Sequence, residues 1–113
     1  MQIIANQALV NLKNEEIKSE DGESFTVGKS LANTIINPKL WKGDKIKAFI
    51  LSQKLYTEDV VEIDASDLSN IKKAVEANTD TSFLITGQIL VILDGIKNAK
   101  KEEKNEGNKD KSK

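Results

Sequence analysis

Cysteine, histidine and arginine are all absent from the chain, and each absence removes a kind of chemistry. Without cysteine there are no disulfides, no thiolate nucleophile and no thiolate zinc site. Without histidine the commonest general base and the commonest transition-metal ligand are lost. All 17 basic residues are lysine, so the chain has no planar bidentate donor for phosphate, carboxylate or guanine. We therefore expect no catalytic residue, no metal site and no cofactor, and a protein that is not an enzyme.

Aromatic residues and long apolar runs are also scarce. Aromatics make up 4% of the chain, which leaves few side chains for stacking on nucleic-acid bases, and no arginine is there to neutralise phosphates. The longest apolar stretch, near residues 89–93, is too short to span a membrane. The N-terminal sequence MQIIANQALV lacks the basic start and long apolar run of a signal peptide. These features predict a cytoplasmic protein without a membrane partner, and they disfavour nucleic acid as a partner.

Charge and apolar content divide the chain of 113 residues into two parts. Residues 1–97 hold eleven lysines and fourteen acidic residues (net −3), and residues 98–113 hold six lysines and four acidic residues (net +2). The second part has no apolar residue larger than Ala99, so it cannot offset the entropy lost on ordering. The sequence therefore predicts one globular domain over residues 1–97 and a disordered lysine-rich tail over residues 98–113.

The first part of the domain has the pattern of short strands. Apolar residues recur in three segments, about residues 8–13, 16–19 and 23–26, and Asp21-Gly22 is a strong turn signal between the last two. Strands this short need helices to cover them. We predict a small antiparallel β-meander at the N-terminus and one further β-like run from Val60 to Ile63.

In the remainder of the domain the sequence pattern predicts four helices. The first, about residues 27–36, follows the N-cap Thr26, and the second, about 44–57, begins at the cap Asp44. The third follows Asp64 and Asp67, an acidic capping box, and stops near Asn78. The fourth lies in TSFLITGQILVILDGIK, which is apolar nearly all round, so we expect it to be central. The predicted fold class is α+β, an N-terminal β-meander followed by about four helices.

Two patterns resemble chemical sites without meeting their requirements. Gly28-Lys29-Ser30 ends like a phosphate-binding loop, but five residues instead of four separate Gly22 from Gly28. We therefore expect no nucleotide binding, and we expect Lys29 and Ser30 to be exposed on the first helix. A carboxylate cluster lacks the spacing and the glycine of a calcium loop, so it is interpreted as helix caps and a solvated turn. Its members are Glu58, Asp59, Glu62, Asp64 and Asp67.

Apolar helical surface is the most promising functional feature. The second helix has one stripe through Ile46, Phe49, Ile50 and Gln53 and an adjoining one through Ala48, Leu51 and Leu55. A domain of this size has little room to cover both stripes and the whole fourth helix, so we expect a protein partner or a homodimer. Trp41 either fills the core or anchors an interface. The candidate partner surface comprises Trp41, Phe49, Tyr56, Gly87 and Gln88.

Gly87 stands in the middle of the fourth predicted helix. A glycine there costs roughly 1 kcal/mol relative to alanine. The physical reason to expect it is the close approach of another helix, either within the domain or across a dimer.

The order of these segments resembles a group of small accessory proteins of tailed bacteriophages and prophages. The resemblance covers about residues 7–96 and leaves the tail out. It is carried by a packing pattern and not by a chemical motif. The matching elements are Thr26-Val27-Gly28, the run Gln53 to Tyr56, the Asp64/Asp67 cap with Ile71-Lys72-Lys73, and Gly87-Gln88.

The resemblance implies a non-enzymatic accessory protein that acts by protein–protein binding in the host cytoplasm, as an adaptor or inhibitor of a host or phage protein. Two alternatives stay open from the sequence. One is a small virion component or an assembly chaperone. The other is a nucleic-acid-associated regulator that uses the lysine-rich tail. The resemblance carries over no catalytic or binding residue.

Overall fold

A computed structural model describes the backbone of residues 1–106 and the side chains of residues 1–96. The element order is strand β1, helices α1 and α2, strand β2, and helices α3 and α4, which confirms the α+β class. Their bounds are β1 Gln2–Ile4, α1 Val27–Ile35, α2 Lys45–Thr57, β2 Val60–Glu62, α3 Ala65–Ala77 and α4 Phe83–Glu106. Since α4 continues to Glu106 and residues 107–113 lie outside the described part, the predicted disorder of residues 98–113 stays a prediction.

The two named strands form an antiparallel pair that joins distant parts of the chain. In its register Ile3 lies opposite Val61, and Ile4 lies opposite Val60. The central pair, Ile3 and Val61, is fully buried, whereas its neighbours on both strands are exposed. Strand β2 confirms the predicted run at Val60. Strand β1 has too few residues to show an alternating pattern, so it was not predicted.

The three predicted N-terminal segments pair with one another and close into a ring, which we call the N-terminal ring (residues 7–27). The Leu9 N–H donates to the Phe25 carbonyl (2.9 Å), the Phe25 N–H to the Ile17 carbonyl (2.8 Å), and the Ile17 N–H to the Leu9 carbonyl (2.9 Å). Antiparallel bridges join Ala8 to Thr26, Val10 to Glu16, and Lys18 to Ser24. Each segment therefore pairs with both others, and the predicted meander has no unpaired edge segment.

The backbone conformation of the N-terminal ring repeats with a period of eight residues. Asn14 and Gly22 turn the chain with positive φ angles of 68° and 85°, which glycine and asparagine adopt most readily. Before the first turn the Asn11 side chain accepts bonds from the N–H groups of Lys13 (2.9 Å) and Glu15 (3.0 Å). The side chains of the repeats differ, so no repeat is visible in the sequence.

Helix α1 occupies the centre of the domain and contacts α2, α3 and β1. Thr26 is its N-cap, as predicted, and accepts a hydrogen bond from the Lys29 N–H (3.2 Å). Seven of its nine residues are buried, and the two polar ones among them, Ser30 and Thr34, have short side chains, whereas Lys29 and Asn33 occupy the two less buried positions. The expectation that Ser30 is exposed is wrong, because helices pack on α1 from two sides.

Gly28 lies at the closest approach between elements. A Cβ atom at this position would collide with the carbonyl oxygen of Leu55 in α2 and would lie 2.8 Å from the Ala5 Cβ. The Gly28 N–H also donates to the Ala5 carbonyl (2.9 Å). No residue with a side chain fits here without moving backbone, so Gly28 sets how near α1 comes to α2 and to the turn after β1.

Helix α4 packs on α3 and β1 and buries one face only. Ile85, Ile89 and Leu93 are buried on that face. Phe83 and Val91 on the other side are 89% and 72% exposed. The sequence places this helix at the centre, and the structure gives the central place to α1, because α1 is enclosed by α2, α3 and β1 whereas α4 covers the outside of α3.

The side chain of Gln88 connects α4 to the N-terminal ring by hydrogen bonds. Its Oε1 accepts from the Val10 N–H (2.9 Å), and its Nε2 donates to the Val10 carbonyl (2.7 Å) and to the Leu84 carbonyl (2.9 Å). The amide thus pairs with one residue of the ring as a neighbouring strand would. Because the bonds are partly buried, losing them leaves two backbone groups of Val10 unsatisfied.

We predict that Gly28→Ala destabilises the fold strongly. Overpacking against backbone costs roughly 1–3 kcal/mol and sometimes more, because neither Leu55 nor Ala5 can rotate out of the way. The matched control is Asn33→Ala on the exposed side of the same helix, which should leave stability nearly unchanged. Urea unfolding followed by circular dichroism measures both. Equal midpoints for the two variants would show that α1 and α2 are not held at this distance.

Gln88→Ala should destabilise the protein by about 1–3 kcal/mol, the usual cost of leaving partly buried hydrogen-bonding groups unsatisfied. Gln53→Ala is the matched control, because Gln53 is exposed on α2. Amide exchange measured by NMR gives a local readout: the Val10 N–H should exchange faster in Gln88→Ala and at the wild-type rate in Gln53→Ala. If the Val10 N–H exchanged as slowly in Gln88→Ala as in the wild type, the hydrogen bond between Val10 and Gln88 would be contradicted.

Candidate protein-binding surface

The carboxylate cluster is used for capping. The Asp64 side chain accepts from the Asp67 N–H (2.7 Å), and the Asp67 side chain accepts from the Asp64 N–H (3.2 Å), which is the predicted capping box. The bond from the Asp67 N–H holds the pKa of the Asp64 carboxyl below its usual range. The described residues contain no group of three or more potential ligands that could hold a metal ion.

The residues that resemble a phosphate loop are also used internally. The Gly28 N–H is bonded to Ala5, and the Lys29 ammonium pairs with Glu23 (3.3 Å) and lies 5.9 Å from the centre of the Tyr56 ring. Only 19% of the Lys29 side chain is exposed, so the expectation of an exposed lysine is wrong. These contacts leave the loop no amide or ammonium group directed at an anion.

A cleft between α3 and α4 is the best candidate for a small-molecule site. It has a volume of about 300 Å³, with Leu68 and Leu93 at its apolar side. Lys72 and Asp94 at its edge form an ion pair (2.9 Å), and the hydrogen bond that the Lys72 ammonium donates to the Asp94 carboxylate raises the pKa of Lys72. Lys72 and Asp94 are thus bonded to each other, which favours a structural role for this pair, and Lys73 and Glu76 also line the cleft.

Helix α2 presents the clearest apolar surface. Its inner side buries Ala48, Leu51, Ser52 and Leu55 against the core. The other predicted stripe therefore points to solvent, because residues at a spacing of three or four share one side of a helix. We call this side the α2 outer face and define it as Ile46, Phe49, Ile50, Gln53 and Tyr56. Ile46, Phe49 and Tyr56 are 68%, 54% and 55% exposed.

Exposed lysines flank the α2 outer face. Helix α2 has no acidic residue of its own, and Lys42, Lys45 and Lys54 are exposed at or beside it. The fourth lysine of this region, Lys47, is directed to the core side and pairs with the buried Asp67 (3.4 Å). Among the residues that the structure describes, the three exposed lysines form no ion pair. The face is therefore an apolar strip flanked by three lysines, which we call the basic rim, with the acidic caps Asp44 and Glu58 at the two ends of the helix.

The five predicted partner residues have different locations. Phe49 and Tyr56 lie together on the α2 outer face. Trp41 is buried, and its indole N–H donates to the Asp44 carbonyl (3.0 Å), so its ring fills the core next to the α2 cap. Gln88 is engaged with Val10. Gly87 is on the exposed side of α4, and no atom lies within 4 Å of where its Cβ would be, so the close approach is not made within the domain.

The sequence identified the two stripes of α2 without indicating which one faces the core. One signal could have decided it: the inner stripe carries the small residues Ala48 and Ser52, which allow α1 to come close, and the Ser52 hydroxyl bonds to the Ala32 carbonyl (3.4 Å). The outer stripe has large residues throughout. Small residues mark the side on which helices pack closely.

No helix in the described part of the chain combines the length and apolarity needed to cross a membrane. Comparison with known proteins finds no matching family model, and no significantly similar curated protein or solved structure. The surface of the molecule is therefore the guide to its function, and the α2 outer face is the strongest feature of that surface.

Proposed function

We propose that this protein acts by binding another protein through the α2 outer face. The observation that carries the proposal is the exposure of Phe49, Ile46 and Tyr56 on one side of a well-capped helix. Contiguous apolar patches on soluble proteins commonly mark interaction sites. Tyrosine and other large aromatic side chains contribute much of the energy in such sites.

The basic rim indicates the chemistry of the partner. Lys42, Lys45 and Lys54 around an apolar strip complement a segment in which acidic residues flank apolar ones. Such charge pairs mainly speed association and select the partner, whereas the apolar centre supplies most of the affinity. An acidic amphipathic helix laid along α2 is the partner that fits, with its apolar side on Phe49 and Ile50.

The wider role that we propose is that of a non-enzymatic adaptor or inhibitor of a host or phage protein in the host cytoplasm. The resemblance of residues 7–96 to phage accessory proteins supports this role. A virion component would use the same surface for a structural partner, and the identity of the partner distinguishes the two roles.

A photoreactive phenylalanine analogue at position 49, in the full-length protein, will identify the partner in cells that carry the phage. The matched control is the same analogue at position 12, because Leu12 is 93% exposed on the N-terminal ring, away from α2. A protein cross-linked from position 49 and not from position 12 is the candidate. We expect it to present an acidic, amphipathic segment.

With that candidate purified, Phe49→Ser should weaken binding at least tenfold, about 1.4 kcal/mol, because it removes a large apolar side chain from the middle of the face. Leu12→Ser should leave the affinity within twofold. Raising the salt concentration should slow association, because the rim charges are screened. Calorimetry and stopped-flow measurements provide these values. Equal affinities of the two variants would refute binding through α2.

A further inference from the structure

A cavity lies between the end of α1 and the start of α2. It has a volume of about 500 Å³, which is within the usual range of ligand pockets. We call it the Trp41 cavity. Ile36 stands at its solvent side, because this residue is exposed. The apolar lining comprises Ile35, Ile36, Pro38, Trp41 and Ala48.

The ring of Trp41 is held in place from two directions. Its indole N–H donates to the Asp44 carbonyl (3.0 Å), and a Cβ atom at Gly43 would lie 3.0 Å from two carbons of the ring. An occupant loses little further entropy against a wall that is already fixed. The cavity is therefore suited to one anchoring side chain, since such side chains commonly fill well-packed pockets in protein interfaces.

The mouth of the Trp41 cavity is cationic. Lys42 and Lys45 are among its lining residues, and no acidic residue is. Asp44 stands between them in the sequence, but its carboxylate accepts the Ile46 N–H (3.1 Å) at the start of α2. Among the residues that the structure describes, neither lysine has an ion-pair partner. The cavity thus suits an apolar group that stands next to a carboxylate.

The charge of the whole domain is divided in the same sense. Residues 24–57, which hold the packed pair of α1 and α2, contain six lysines and one acidic residue (net +5). The rest of residues 1–97 contains five lysines and thirteen acidic residues (net −8). Such a field attracts an acidic partner to the side of α1 and α2. A nucleic acid would also meet the lysines, but its hydrated phosphates do not enter an apolar cavity.

We propose that the protein partner of the α2 outer face inserts one apolar side chain into the Trp41 cavity and places neighbouring carboxylates on Lys42 and Lys45. The inference rests on the proposed function and adds an anchor to it. One segment can reach both places, because Lys45 directly precedes Ile46 of the face and is one turn from Phe49. The apolar side chain supplies affinity, and the carboxylates select the segment.

Hexanoate, which joins an apolar chain to a carboxylate, tests the chemistry of the cavity in the full-length protein. Trp41 is the only tryptophan, so its indole N–H resonance reports on the cavity. Hexanoate should shift this resonance along a saturating curve, with an affinity at least tenfold higher than that of hexylammonium. Inorganic triphosphate, which is anionic without an apolar chain, should not shift it. No shift with hexanoate, or an equal shift with either of the other probes, overturns the proposal.

Variants of the two lysines test the role of the charge. Lys42→Gln/Lys45→Gln should weaken hexanoate binding at least fivefold. Lys54→Gln is the matched control, because Lys54 is an exposed lysine near the other end of α2, and it should leave the affinity within twofold. Equal effects of the two variants would contradict recognition at the mouth of the cavity.

The partner captured from position 49 provides the decisive measurement. Ile36→Ser should weaken its binding at least fivefold, with the urea midpoint of the protein nearly unchanged because Ile36 is exposed, and Leu12→Ser should leave the affinity within twofold. If Phe49→Ser weakens binding and Ile36→Ser does not, the anchor is refuted and binding through the α2 outer face stands. If Phe49→Ser has no effect, the proposed function fails and the anchor fails with it.

Discussion

The close approach at Gly28 is the contact on which the arrangement of the domain depends. The backbone of α1 lies directly against the Leu55 carbonyl of α2 and against the turn that follows β1. Because these neighbours are backbone atoms, the separation cannot be adjusted by choosing another rotamer. The contact brings the first residues of α1 to the end of α2, next to the start of β2. Gly28 resembles part of a phosphate-binding loop in the sequence, but in the structure it allows the helices to pack closely.

The exposed apolar rows follow from the burial of α1. With α2 and α3 packed on α1, and α4 packed on α3, large apolar residues stay exposed on the outside of α2 and of α4, and singly elsewhere, as at Leu12 and Ile36. The sequence supplies more apolar helix surface than one core of this size can enclose. On α2 the excess forms the α2 outer face, next to the basic rim.

The parts of the fold that could be predicted are those with local causes. Thr26, Asp44 and Asp64 were identified as caps because a cap needs only amides within the next turn. The closed ring, the pairing of β1 with β2 and the bonds of Gln88 join residues far apart, so periodicity could not reveal them. Phe49 stands in one of the two α2 stripes that the sequence identified, but the side on which this stripe lies, like the burial of Trp41 with its bond to Asp44, depends on the packing of distant residues.

The closure of the N-terminal ring has a consequence for how the chain folds. All of its pairing is satisfied between residues 7 and 27, so its contacts are local and the entropy lost on closing it is small. The antiparallel pair of β1 and β2 requires residues nearly sixty positions apart, and the bonds of Gln88 reach still further. During synthesis the ring can therefore be complete while α4 is still within the ribosome. The three segments are already paired when the last helix arrives, and the Val10 N–H and carbonyl then bond to Gln88.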